Sequence, residues 1–109
     1  MTLGVQVQAR QIAAYFHVDD EIVAFIPELL ADFDALGSFP ETIVALLRDA
    51  ALPEGTRVID LGCGFGAVSR AIAGQLGFEV TGVDMLDAFV TEARRRAEVE
   101  GVGHLCRFH

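Results

Sequence analysis

Val58-Ile59-Asp60-Leu61-Gly62-Cys63-Gly64-Phe65-Gly66 is the stretch that decides the fold, an apolar run ending in three closely spaced glycines. The segment 58–61 is mostly apolar without alternation, which predicts a parallel β-strand covered on both faces. Glycine is needed where backbone angles resist a side chain, or where a ligand approaches the main chain closely. Because the residues after Gly66 have a helical pattern, the stretch predicts a strand that enters a helix through a ligand-binding turn.

Short β-rich runs alternate with helical runs from this stretch onward. The pattern predicts a strand over Arg57–Leu61, a helix over Ala67–Leu76, a strand over Glu79–Val83 and a helix from Leu86 to about Val99. Residues 104–108 look like the start of a third strand. The expected fold class is therefore α/β, with the first strands of a Rossmann-like parallel sheet.

A helical segment precedes these strands. Its apolar residues return every three or four positions, which predicts two or three short helices. Pro27 is expected to kink or divide one of them. Ser38, followed by a proline and a glutamate, predicts an N-cap for the last helix. We accordingly divide the chain into an N-terminal helical cap, residues 1–52, and a partial Rossmann-like domain, residues 53–109.

An acidic residue, Asp84, ends the second predicted strand 22 positions after Gly62. This spacing fits an acid that binds ribose hydroxyls, because a carboxylate offers two acceptors to a vicinal diol. Dinucleotides and S-adenosylmethionine share this architecture, and Gly62-x-Gly64-x-x-Ala67 satisfies a loose dinucleotide fingerprint. An ordinary tight turn and a helix-capping acid are the structural alternatives.

Three features favour S-adenosylmethionine over a dinucleotide. Asp60, two residues before the first glycine, would repel a pyrophosphate but suits a ligand that carries a sulfonium and an amino group. Gly66 completes a GxGxG spacing. Some fifty helical residues precede the first strand, whereas many dinucleotide domains begin almost directly with it.

The stretch 58–66 resembles motif I of the class I S-adenosylmethionine-dependent methyltransferases, and residues 80–85 are similar to their second motif. The N-terminal helices resemble the cap of many small-molecule methyltransferases. The resemblance implies that the amino acid end of the cofactor lies at Asp60, the ribose at Asp84 and the adenine at Met85. It also implies cofactor contacts along the loop, from Gly62, Cys63, Gly64 and Gly66. Cys63 is interpreted as a small residue that fits between two glycines.

The acceptor-binding part of this family lies beyond the third strand, so the resemblance implies an incomplete fragment. We expect the 109-residue chain alone to transfer no methyl group, and to self-associate or be marginally stable through the open edge of strand 58–61. The sequence identifies no catalytic residue. The expected parent enzyme methylates a small molecule, and the alternatives are a non-catalytic S-adenosylmethionine-binding remnant or, with less support, an NAD(P)-binding oxidoreductase fragment.

The net charge of −8 argues against nucleic acid and anionic membrane surfaces as partners. The chain has no apolar run long enough for a membrane span. Two widely separated cysteines and three scattered histidines predict reduced thiols, no metal site and a cytoplasmic location. Arg94-Arg95-Arg96 is interpreted as the solvated face of a helix paired with nearby glutamates.

Overall fold

The computed structural model describes the backbone of residues 3–109 and the side chains of residues 9–15 and 17–109. Met1, Thr2 and the side chain of Phe16, which belongs to the predicted apolar face, lie outside the described residues. The chain forms two compact units that divide between Asp32 and Phe33. No helix among the described residues is long and apolar enough to cross a membrane.

The first unit contains helices α1 (Leu3–Phe16), α2 (Asp20–Val23) and α3 (Ile26–Leu29). Helix α2 packs on α1. Pro27 lies in the first turn of α3, where its missing amide hydrogen costs no helical bond, so it divides the helices as predicted. Together with a further helix at Pro40–Asp49, these make four helices in residues 3–52, so the prediction of two or three was too low.

Helix α4 (Pro40–Asp49) opens the regular structure of the second unit. The predicted N-cap at Ser38 is wrong, because Phe39 occupies that position and no side chain caps the helix. Pro40 begins the helix and disfavours helical angles in the residue before it, so Phe39 has φ −124° and ψ 79°. Ser38 is thus one position too early. Since α4 packs on the helix Ala67–Leu76 of the same unit, the boundary drawn after residue 52 does not coincide with the division between the units.

The second unit continues with β1, α5, β2, α6 and β3, and the predicted α/β alternation is confirmed. Their bounds are β1 Arg57–Leu61, α5 Ala67–Leu76, β2 Glu79–Val83, α6 Asp87–Val99 and β3 Cys106–Phe108. The first three agree with the sequence prediction residue for residue. Leu86 caps α6 rather than beginning it, and β3 is shorter than the predicted run over 104–108.

The three strands are parallel in the order β1-β2-β3, which places β1 at an edge of the described sheet. Helices α4, α5 and α6 enclose the core with one face of this sheet, through residues such as Val44, Ile72, Val80, Ala93 and Phe108. Ile59 and Leu61 point to the other face and are 69% and 80% exposed. The apolar pattern of β1 is typical of a strand covered on both faces, but the described residues leave one face exposed, because crossovers that move in one direction across a sheet put their helices on the same face.

The side chain of Phe108 packs against both the sheet, at Gly82, and the glycine turn, at Gly66. It is almost fully buried, and a Cβ atom added to Gly82 would lie 2.6 Å from its Cδ1 atom. A Cβ atom on Gly66 would lie 2.8 Å from the same ring. Both glycines therefore make room for one aromatic ring from β3.

We expect Gly82→Ala to destabilise the protein by about 1–3 kcal/mol, because the buried Phe108 ring cannot move away without disturbing the core. Gly74→Ala is the matched control. Gly74 lies inside α5, and its added Cβ would meet Val102 Cγ1 at an ordinary 3.6 Å. The control should be stabilising by roughly 0.5–1 kcal/mol, because alanine favours a helix interior more than glycine does. Urea unfolding of both variants measures the difference, and equal stability of Gly82→Ala and the wild type would contradict the packing role of Phe108.

Candidate functional site

The glycine loop, residues 62–66, connects β1 to α5 at the carboxyl ends of the strands. Gly62, Gly64 and Gly66 have φ angles of +71°, +55° and +77°, in the left-handed region that favours glycine. The loop amides are satisfied by the neighbouring strand: Gly62 and Cys63 both donate to the carbonyl oxygen of Val83, at 2.8 and 3.0 Å. Ligands of open α/β sheets bind in this position, outside the carboxyl ends of the strands.

Asp84 directly follows β2 and joins the loop to the next helix. Its Oδ2 atom accepts a 2.9 Å hydrogen bond from the amide of Gly64, and its Oδ1 atom accepts one of the same length from the amide of Leu86. The sequence prediction weighed a ribose-binding acid against a structural acid. The carboxylate has this structural role, and each oxygen keeps further lone-pair capacity for a ligand hydroxyl.

Asp60 lies on β1 and is half-buried. Its Oδ2 atom accepts a 2.7 Å hydrogen bond from the hydroxyl of Ser69, which is fully buried on α5. Ser69 was missed by the sequence analysis, because a serine inside an amphipathic helix gives no local signal of the strand residue that it contacts.

Cys63 is buried between the two acids. Burial, followed by the negative charges of Asp84 and Asp60, raises the pKa of its thiol to about 12. A thiol with so high a pKa stays protonated at neutral pH and is a poor nucleophile. Asp84 is bonded to the loop amide of Gly64, and Asp60 lies in the strand that leads into the loop, so the structure brings together Asp60, Asp84 and the glycines as the sequence predicted.

The three loop glycines face different surroundings. A Cβ atom on Gly62 would meet no other atom within 4 Å, whereas one on Gly64 would lie 3.2 Å from Leu36 Cδ1. The space beside Gly66 is filled by Phe108. Gly62 therefore borders open space, and Gly66 is required by internal packing. Met85, the predicted adenine contact, is largely exposed just after Asp84.

Two arginines near the loop were not assigned a role from the sequence. Arg70, the lone charged residue of α5, is buried and donates to the carbonyl oxygen of Phe65 at 3.3 Å. Arg96 places its guanidinium carbon 4.4 Å from the centroid of the Phe65 ring. A single charged residue in a mostly apolar helix is the signal that could have indicated buried ion pairs.

The interpretation of Arg94-Arg95-Arg96 as a solvated face paired with glutamates is confirmed for Arg95 and is incomplete for its neighbours. Arg94 is also exposed and Arg96 also pairs with Glu92, but both make further contacts. Hydrogen bonds from Arg95, and then from Arg96, lower the pKa of Glu92 to about 2, as expected for helical ion pairs. Arg94 instead donates to the carbonyl oxygen of Phe108 at 2.6 Å, and the Arg96 side chain is 15% exposed. These two side chains make tertiary contacts that helical spacing does not reveal.

A separate small cavity of about 40 Å³ lies at the opposite, amino-terminal end of the strands, lined by residues that include Arg57, Glu79 and His104. Small-molecule sites have volumes of roughly 300–1,000 Å³, so this cavity is too small for a nucleoside ligand. The loop at the carboxyl ends remains the candidate site.

Comparisons with known proteins agree with this geometry. A family model described as a methyltransferase domain matches residues 58–109. A carboxy-S-adenosyl-L-methionine synthase from Chromohalobacter salexigens is 33% identical in an alignment of 101 positions that covers 88% of this chain and 35% of the synthase. The chain thus spans about a third of that relative's length.

The chain is also similar to solved structures of methyltransferases that contain S-adenosyl-L-homocysteine. An S-adenosylmethionine-dependent methyltransferase from Thiobacillus denitrificans, in complex with S-adenosyl-L-homocysteine, has a TM-score of 0.65 and 31% identity, and the match covers 78% of this chain and 35% of that one. The corresponding complex from Geobacter sulfurreducens has a TM-score of 0.58 and 38% identity, over 65% of this chain and 28% of that one. With the loop and the acid after β2 in their expected places, residues 58–109 belong to the class I S-adenosylmethionine-dependent methyltransferase family.

Proposed function

We propose that this chain binds S-adenosylmethionine at the glycine loop and forms the cofactor-binding part of an enzyme that methylates a small molecule. The observation that carries the proposal is the junction of the loop with Asp84, at the carboxyl ends of β1 and β2. There the open side of Gly62 leaves the main chain accessible.

The chemistry of the site fits this cofactor. The sulfonium and amino group of S-adenosylmethionine are cationic, and two carboxylates, Asp60 and Asp84, lie beside the loop. Of the two, Asp60 would repel the pyrophosphate of NAD or NADP. Arg70 and Arg96, the cations near Phe65, are paired with acidic residues and do not offset this preference.

The proposal assigns the following roles to residues in and around the loop. Gly62 provides the close backbone approach, Asp84 accepts from the ribose hydroxyls with the capacity left after its two amide bonds, and Asp60 faces the amino acid end. Met85 lies against the adenine. Cys63 contributes its backbone and small volume, and its high thiol pKa gives it no chemical step.

S-adenosylmethionine supplies an activated methyl group, whose transfer by direct displacement depends mainly on an acceptor held in line with it. The described residues account for cofactor binding, and the acceptor pocket belongs to the whole protein. A small-molecule acceptor is supported by the net charge of −8, which disfavours nucleic acid. The synthase relative is named for a small-molecule product.

A non-catalytic S-adenosylmethionine-binding protein is the alternative, and it predicts the same cofactor affinity without turnover. A cytoplasmic location is part of the proposal. Its support is that Cys63 and Cys106 are both free thiols, as is usual in a reducing compartment.

We also propose that the isolated chain self-associates through β1. Among the described strands, β1 pairs with β2 alone, and its other edge presents unpaired backbone donors and acceptors. Ile59 and Leu61 add exposed apolar surface beside that edge. The net negative charge opposes this association, so added salt should favour it.

Calorimetric titration should detect binding of S-adenosylhomocysteine and weaker or absent binding of NAD. Gly62→Ala should abolish most of this affinity, because it places a methyl group in the open space beside the loop. Gly77→Ala is the matched control: its φ of +69° imposes the same backbone strain, with equally open surroundings, at the far end of α5. Tighter binding of NAD than of S-adenosylhomocysteine would refute the cofactor assignment.

Asp84→Ala should weaken S-adenosylhomocysteine binding by about 1.5–3 kcal/mol, the usual range for hydrogen bonds to a charged group. Thermal stability should also fall, since the amides of Gly64 and Leu86 lose their acceptor, while the overall fold is retained. Asp87→Ala, which removes an exposed acid from the first turn of α6, serves as the control. If folded Asp84→Ala binds with wild-type affinity, Asp84 is a structural acid only.

Sedimentation of the 109-residue chain should reveal concentration-dependent association, and Leu61→Lys should reduce it by placing a charge at the exposed edge. Leu46→Lys adds the same charge at an exposed position of α4 and should leave association unchanged. No release of S-adenosylhomocysteine is expected with small-molecule acceptors. A stable monomer that turns over would contradict both the association and the inactivity of the isolated chain.

A further inference from the structure

The strap, residues 33–39, connects the first unit to α4 and lies against the glycine loop. We propose that Asp34 is a positioning residue for the cofactor: through Arg70 and Arg96 it holds the strap on the loop, so that Leu36 forms a wall of the cofactor site. This inference rests on the proposed function for its ligand, whereas the coupling between strap and loop can be tested without one.

Arg70 is the first of two arginines that connect Asp34 of the strap to Phe65 of the glycine loop. Only 5% of this residue is exposed, and its guanidinium forms ion pairs with Asp34 of the strap and with Glu100, just after α6. Its Nε atom donates to the carbonyl oxygen of Phe65 in the glycine loop, at 3.3 Å. A buried guanidinium is strongly unfavourable without its acidic partners, so Asp34 is tied to the same side chain that fixes Phe65.

Arg96 is the second half. Its Nη1 atom donates to the carbonyl oxygen of Phe33 at 2.9 Å and to Asp34 Oδ1 at 3.3 Å, which anchors two consecutive strap residues. The same guanidinium lies over the face of the Phe65 ring. Glu92, one turn earlier on α6, orients it through a 2.9 Å bond to Nε.

Phe65 carries the connection into the loop. It is fully buried between Gly64 and Gly66, and its ring packs edge-on against Phe89 with centroids 4.8 Å apart. Arg70 therefore contacts the backbone of Phe65 and Arg96 contacts its ring, and both arginines form ion pairs with Asp34. A shift of Asp34 would therefore remove an acidic partner from both arginines at once.

Leu36 is the part of the strap that reaches the site. Its Cδ1 atom lies 3.2 Å from the position where a Cβ atom on Gly64 would stand, and the residue is 37% exposed. The amide of Gly64 is the one held by Asp84. The strap, the loop and the proposed ribose acid thus meet at Gly64, and a cofactor bound there would contact Leu36.

Asp34→Asn is the direct test, because Asp34 is exposed at the surface and its loss is less disruptive than that of the buried Arg70. Amide hydrogen exchange at residues 62–66, measured without ligand, should be several-fold faster in this variant. S-adenosylhomocysteine affinity should fall by about 3- to 30-fold. Asp34→Glu, which restores the charge, should recover most of both effects, and Asp32→Asn, an exposed acid two residues earlier, is the matched control.

Leu36→Ala tests the contact of Leu36 with the cofactor separately from the attachment of the strap through Asp34. It should lower S-adenosylhomocysteine affinity without changing exchange at the loop, and Leu46→Ala on α4 should change neither. In the wild type, the Leu36 methyl resonances should shift when S-adenosylhomocysteine is added, because the adenine or its neighbouring groups come into contact with them.

Unchanged loop exchange in Asp34→Asn would overturn the coupling, whatever the ligand. Faster exchange with unchanged or increased affinity would overturn the role of the strap in cofactor binding. A wild-type protein that binds no S-adenosylhomocysteine would instead refute the proposed function, and the exchange comparison would still decide whether Asp34 holds the loop.

Discussion

The carboxylate of Asp84 is the point on which the geometry of the site depends. The loop has three residues at positive φ, so its backbone amides lie outside the regular hydrogen bonding of a helix or a strand. Buried amides still need acceptors. The end of β2 provides them, through the carbonyl oxygen of Val83 and the side chain of Asp84. The shape of the loop is therefore set by a neighbouring strand, and the acid best placed for a ligand also stabilises the protein. Stability and binding cannot be assigned to separate residues at this position.

The loop glycines look equivalent in the sequence, but each satisfies a different physical demand. Gly62 leaves open space beside the main chain, Gly64 admits Leu36, and Gly66 admits Phe108. The resemblance to motif I attributes a close approach to the ligand to all three. In this chain such an approach is available at Gly62, whereas the space beside Gly66 belongs to the core.

The arginines also look alike in the sequence but have different roles in the structure. Arg95 and Glu92 form the exposed helical pair that their spacing predicts. Arg96 and Arg70 instead converge on Asp34, 62 and 36 positions earlier in the chain. An excess of acids makes such convergence possible, because a buried guanidinium needs several acceptors and finds them on the strap, the loop and the end of α6.

The order of helices and strands, the glycine loop and the acid after β2 were all predictable from the sequence, because each is encoded by local backbone chemistry and by the period of apolar residues. Ser38 was misassigned within this same local range, since Pro40 moves the helix start by one residue. The packing of Phe108 on two glycines and the attachment of the strap through Asp34 were decided only by the tertiary structure. These features join residues far apart in the chain, and periodicity records which face of an element is apolar but not which distant side chain covers it.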